Sequence, residues 1–187
     1  MEQIQSQSPE TPITSRRQLL ASLLAGGALA AAAPVLTRRA SAATSDIPKR
    51  DSRDNSALNA ALQRESQMAA TYALAVEATS NEDDKAALLL IHDHHLEYVD
   101  TLIGYLATEA EKPSGRAIAS PSGSFSSIAT QLAALEDETI AIHTNNLAGL
   151  IGVNAASLVS SIITMEARHS AALSIVAGAS PQAAARV

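Results

Sequence analysis

Four stretches of the chain repeat apolar residues at three- and four-residue intervals, the period of a helix with one face turned inward. The first runs from Asn55 to Ala78 and puts Leu58, Leu62, Glu65, Ala69, Tyr72 and Val76 on one stripe. The second, Asp83 to Ala110, carries Leu88, His92, His95, Val99, Leu102 and Leu106. The third, Ser124 to Leu150, carries Ile128, Leu132, Leu135, Glu138, Ile142 and Asn145. The fourth, Asn154 to Ala177, carries Leu158, Ile162, Glu166, His169, Leu173 and Val176, with Asn154 as its expected N-cap and Gly178 and Pro181 ending it. Strand-type alternation is lacking. The expected fold is all-α, an antiparallel four-helix bundle. Short connections around Asn81 and Gly152 pair the first helix with the second and the third with the fourth. The Pro-, Gly- and Ser-rich segment Lys112 to Ser124 is the longer crossover loop.

The first forty-odd residues read as an address rather than as part of the fold. Ser15-Arg16-Arg17-Gln18-Leu19-Leu20 resembles a twin-arginine export signal. A mildly apolar Ala- and Gly-rich run follows to Leu36, and Ala40-Ser41-Ala42 offers a cleavage site. The alternative is an uncleaved membrane helix, because the run is nearly long enough to span. Residues 1–42 are therefore expected to be a signal peptide, 43–54 a flexible leader, 55–178 the bundle and 179–187 a disordered tail. The resemblance implies export in the folded state, to the periplasm, the cell envelope or the medium, with no membrane attachment after cleavage.

Removing that signal takes four of the 13 basic and two of the 19 acidic residues, so the mature chain is more acidic than the formal net charge of −6. A basic nucleic-acid footprint is absent. The chain has no cysteine, which excludes disulfides, Fe–S clusters and a lipidated Cys anchor. With one Phe, three Tyr and no Trp, the core must be built from Ala, Leu, Ile and Val.

The inward stripes also carry acids and imidazoles. His92-x-x-His95 and Glu166-x-x-His169 are spaced to share a helix face, and apolar residues follow each second histidine at four and seven positions. Upstream of each, Ala61-Leu62-Gln63-Arg64-Glu65 matches Ala134-Leu135-Glu136-Asp137-Glu138. Unpaired inward carboxylates and imidazoles are costly to bury, so these residues need partners. Glu65, His92, His95, Glu138, Glu166 and His169 are the candidate metal ligands, expected to converge at mid-bundle. Glu97 and Glu136 are spare acids that face away by helical phase. His94 and His143 read as ordinary polar helix residues, and Tyr72 as core with its hydroxyl near the site.

In this order, Glu, His-x-x-His, Glu, Glu-x-x-His, the chain resembles the ferritin-like superfamily across roughly residues 55 to 178. Such bundles hold two metal ions with a Glu from each of two helices and Glu-x-x-His from each of the others. The resemblance implies Glu65 and Glu138 as terminal carboxylates, His95 and His169 as nitrogen ligands and Glu166 as a bridge. The second bridge falls at position 92, where this chain has histidine. An imidazole binds one metal through one lone pair, so both a bridge and a negative charge are lost. One ion, or two unequal ones, is then expected.

Two classes of function follow. One is an exported metal-binding protein holding iron or manganese, which carboxylate–histidine ligation suits, and oxidising Fe(II), handling peroxide or storing metal. The other is a helical interaction or structural module of the cell envelope with a degenerate site, its Glu and His groups bonded to one another. A homo-oligomer is compatible with its Ala-rich surfaces.

Overall fold

The computed structural model describes residues 50–178. A single 3-10 turn, Ser52–Asp54, leads into α1 (Asn55–Ala78), α2 (Glu82–Leu106), α3 (Phe125–Leu147) and α4 (Val153–Val176). A second 3-10 turn, Ala107–Glu109, follows α2, and no strand occurs among the described residues. The signal peptide and tail read from the sequence lie outside the described residues.

The helices form two antiparallel pairs, α1 with α2 and α3 with α4. The crossover loop carries the chain from the base of the bundle to its top, so α3 runs parallel to α2. The core divides into two apolar layers. Met68, Tyr72, Leu88, Ile91, Ile128, Leu132 and Leu173 fill the upper one. Leu58, Leu62, Leu102, Leu106, Leu158 and Ile162 fill the lower one. Buried alanines in both, such as Ala61, Ala75, Ala129 and Ala155, let the helices approach closely. Between the layers lies a buried polar layer containing Glu65, His95, Glu136, Glu166 and His169.

Helix starts are capped as local chemistry requires. Asn81 Oδ1 accepts from Asp84 N at 3.0 Å, and acids fill the first turn of α2. Ser124 Oγ accepts from Ser127 N at 3.2 Å. The start of α4 departs from expectation: Asn154 is inside the helix and Gly152 is the N-cap. Asp54, buried at the base, supplies the missing acceptor from outside, taking Ile151 N at 2.9 Å and Gly152 N at 2.8 Å. A Cβ on residue 152 would lie 2.8 Å from Asp54 Oδ2, so glycine is required by the close approach. The 50–54 end of the expected flexible leader is therefore built into the bundle. Arg50 adds to this through Nη1 bonds to the carbonyls of Tyr105 and Leu106.

The helical pattern read through Ala110 stops at Leu106, and Ala107 takes a positive φ of 54°. The side chains of α1 explain why. Asn59 donates to Glu109 O at 2.9 Å and accepts from Glu111 N at 2.8 Å. One turn on, Gln63 makes the same pair with Lys112 O (3.0 Å) and Ser114 N (2.9 Å). Ser66 accepts from Gly115 N and Thr71 from Ile118 N, each at 3.0 Å. The polar face of α1 thus satisfies the backbone of the extended loop, as a strand partner would.

The variant Asp54→Ala leaves the two backbone N–H groups at the start of α4 without their acceptor. It should cost about 2–3 kcal/mol in urea denaturation, the value of charge-assisted bonds at a buried helix start. Unchanged stability would show that α4 begins without this clamp.

Candidate metal centre

Each helix contributes to the polar layer from its inward stripe. Glu65 on α1 and His95 on α2 are fully buried, as are Glu166 and His169 on α4. On α3 the phase differs from the sequence reading: Ala129, Leu132, Ala133, Glu136, Thr139 and His143 are buried. Glu138 instead points outward, its side chain 57 % exposed, with Arg64 Nη2 at 3.5 Å. Leu135 and Ile142 are half-buried and Asn145 is exposed. His92 is also outside the layer, half-buried, with its Nδ1 3.0 Å from Asp93 Oδ1. The structure brings together Glu65, His95, Glu166 and His169 of the expected residues and leaves out Glu138 and His92. It adds Glu136, expected to face away, and His143, expected off the face of Glu138 though able to reach the site's edge.

The signal that would have found them is a different register between the halves. Pairing Glu65 with Glu136 also pairs Tyr72 with His143, one residue at seven positions after each glutamate. These pairs cross in space. Tyr72 donates its hydroxyl to Glu136 Oε1 at 2.5 Å, and His143 Nε2 lies 2.6 Å from Glu65 Oε1. The match of Ala61–Glu65 to Ala134–Glu138 was a local coincidence in an Ala- and Leu-rich helix, offset by two residues.

His95 bridges the two glutamates, with Nδ1 2.7 Å from Glu65 Oε2 and Nε2 3.2 Å from Glu136 Oε1. Burial alone would lower its pKa, but the charges of Glu136 and Glu65 override this and raise it to about 10. His143 is likewise raised to about 9 against burial, by the Glu166 and Glu65 carboxylates beside its Nε2. Burial opposes ionisation of Glu136 and Glu65 too, yet His95 and its neighbours hold Glu136 down to about 2 and Glu65 below the usual range. Glu166 goes the other way: burial and the Glu65 charge push it up to about 8. Without metal, two imidazolium ions therefore face two carboxylates beside one neutral carboxyl, and the layer is close to neutral.

That pairing is incomplete. Both oxygens of Glu166, Glu136 Oε2, His143 Nδ1 and His169 Nδ1 are buried without a hydrogen-bond partner. His143 Nε2 to Glu166 Oε1 and His169 Nδ1 to Glu136 Oε1 are each 3.4 Å contacts within ion-pair range that lack hydrogen-bond geometry. Unsatisfied polar atoms are rare in interiors and need a reason. A cation held among them would supply one. The donors fall into two sets, His95, Glu136 and His169, and Glu65, His143 and Glu166, with the donor atoms of each set all within 4.8 Å of one another. Imidazole and carboxylate donors together suit a first-row divalent ion.

His94, also read as an ordinary polar residue, packs against this centre. Its Nδ1 is 3.0 Å from His169 Nε2. Burial, with His169 and His95 beside it, lowers its pKa to about 4. Tyr72 stacks on His95 and Tyr98 meets it edge-on.

Comparison with known proteins agrees with the geometry. The family model described as Ferritin-like domain matches residues 53–179, which takes in the whole bundle. No curated protein and no solved structure matches the chain. The crossed helix pairs, the buried Glu/His layer and this match lead to one conclusion: the chain belongs to the ferritin-like domain family.

Proposed function

We propose that this protein is an exported metal-binding protein that holds iron or manganese in the buried layer. The observation that carries the reading is the pair of buried donor triads with partnerless oxygens and nitrogens. His95, Glu136 and His169 would hold one ion, and Glu65, His143 and Glu166 a second. A bound redox metal would supply the electron transfer needed to oxidise Fe(II) or handle peroxide. The chain's own contribution is electrostatic. Three carboxylates do not balance two divalent ions, so the sets are unequal and the second ion binds more weakly unless a hydroxide accompanies it. The set with two imidazoles favours the later first-row metals, and the set with two carboxylates favours manganese or iron. Export through the Arg16-Arg17 signal to the periplasm, envelope or medium is part of the same reading. It is supported by the signal's residue pattern.

Elemental analysis of protein recovered from its natural compartment tests the reading, with Fe(II) oxidation followed optically. Glu136→Ala and His143→Ala should each weaken metal binding by about 100-fold or more, beyond what loss of a supporting group costs. Glu138→Ala and His92→Ala should leave stoichiometry unchanged. Metal-free wild-type protein that resists reconstitution would instead favour the interaction module.

Metal should also change the response to pH. In chelated protein Glu166 keeps a proton that the unfolded chain releases near 4.5, up to about pH 8. His143 and His95 keep theirs from 6.5 to about 9 and 10. Through these three groups the folded state binds more protons than the unfolded chain, and their contribution to stability falls as pH rises through these intervals. Glu136 acts oppositely, its contribution being lost as pH falls from 4.5 towards 2. Thermal melts of chelated protein should fall in Tm from about pH 6.5 to 10, because below 6.5 His94, held down to about 4 in the folded state, offsets Glu166. Glu166→Gln should flatten the lower part of that decline, and metal-loaded protein should show little of it, because its ligands are already deprotonated.

A further inference from the structure

We propose that His94 is a positioning residue that holds His169 with its Nδ1 turned into the metal centre. The inference rests on the metal-binding reading above. His94 belongs to neither donor set. It sits at the edge of the layer, buried but for 9 % of its surface. Its Nδ1 faces His169 Nε2 across 3.0 Å, and the two rings are tilted by only 8° with centroids 5.2 Å apart. Rings stacked face to face would lie closer. The near-coplanar arrangement is that of two imidazoles meeting edge to edge through one in-plane hydrogen bond.

A neutral imidazole has one N–H and one lone pair, so one ring donates to the other. The far side of His169 decides the direction. Its Nδ1 is buried, has no hydrogen-bond partner and lies 3.4 Å from Glu136 Oε1. When His169 donates Nε2–H to His94 Nδ1, its Nδ1 presents a lone pair to the ion beside Glu136. The opposite direction would put a proton where the ion must bind. The nitrogen available to a metal is set by the bond the other nitrogen makes. Carboxylates or carbonyls usually fill this role. Here an imidazole fills it, and it keeps its own proton on Nε2. The neighbouring residue, Asp93, is engaged by His92 and faces outward.

The probe is Zn(II), which is diamagnetic, with affinity measured by competition against a chelator and imidazole protonation read by nitrogen-15 NMR. In zinc-loaded wild type the His169 proton should be on Nε2. His94→Phe keeps a ring but no acceptor, and zinc affinity should fall 10- to 100-fold. His94→Asn places an amide oxygen near the position of Nδ1 and should recover most of the loss. Should the Phe variant lose its helical circular dichroism, His94→Leu replaces it. Variants that bind zinc as tightly as wild type, or a proton on His169 Nδ1, would overturn the role of His94 while leaving metal binding intact. Failure of wild type to bind Zn(II), Mn(II) or Fe(II) would overturn the metal-binding reading itself.

Discussion

Three carboxylates and three imidazoles occupy one buried layer between two apolar ones, and the rest of the bundle is arranged around the cost of putting them there. A lone buried charge is far more expensive than the whole fold is stable. The layer therefore has to stay close to neutral. Without metal it reaches neutrality by moving protons: two imidazoles take them up and Glu166 keeps its own. Bound cations would take the place of those protons. The same side chains serve both states because Glu65 and Glu136 are already held by groups from other helices, while Glu166 keeps both oxygens unbonded.

Those holds cross between the halves. α1 sends Tyr72 to the glutamate of α3, and α3 sends His143 to the glutamate of α1. The two ends of this exchange differ in one respect. Tyr72 offers a hydroxyl whose pKa burial and the Glu136 charge push well above its usual value, so it remains a donor to Glu136. His143 offers a nitrogen that can bind metal. The asymmetry matters because the pattern of the family leaves a gap at position 92, where a second bridging carboxylate would fall on α2. His143 enters the layer from α3 and restores the number of donors to six, though not the missing negative charge. His92 is then free to pair with Asp93 at the surface.

The fold was legible because its causes are local and repeated. The bounds of α1 were read from the sequence to the residue, and the other helices to within a few. Long apolar stripes and a Pro- and Gly-rich crossover act through neighbours in the chain. The departures come from contacts between distant segments. Asp54 caps a helix almost a hundred residues away, and Asn59 and Gln63 draw the chain off the end of α2. The sites on α1, α2 and α4 were legible for the same reason as the fold, since Glu65, His95, Glu166 and His169 sit among unambiguous apolar neighbours. α3 has Ile, Leu or Ala on almost every side. Its stripe could be drawn through Leu135, Glu138 and Ile142 or through Ala133, Glu136 and His143, and pattern alone does not choose.

Arg64 makes that choice visible in the structure. It precedes Glu65 on α1 and is itself buried, so it faces α3 beside the polar layer rather than within it. Its Nε donates to Thr139 Oγ1 at 2.8 Å, and Nη2 reaches Leu135 O and Glu138 Oε2, both at 3.5 Å. A guanidinium is planar and permanently charged, so it selects both the position and the sign of what it meets. At 3.6 residues per turn, Glu136 and Glu138 lie roughly 200° apart around α3. Turning Glu138 inward would carry Thr139 and Leu135 away from Arg64 and leave its buried charge unpaired. The cation next to Glu65 thus sets the rotation of α3 from outside the centre. Which of two nearby glutamates enters the layer is decided by an arginine that lies outside both donor sets.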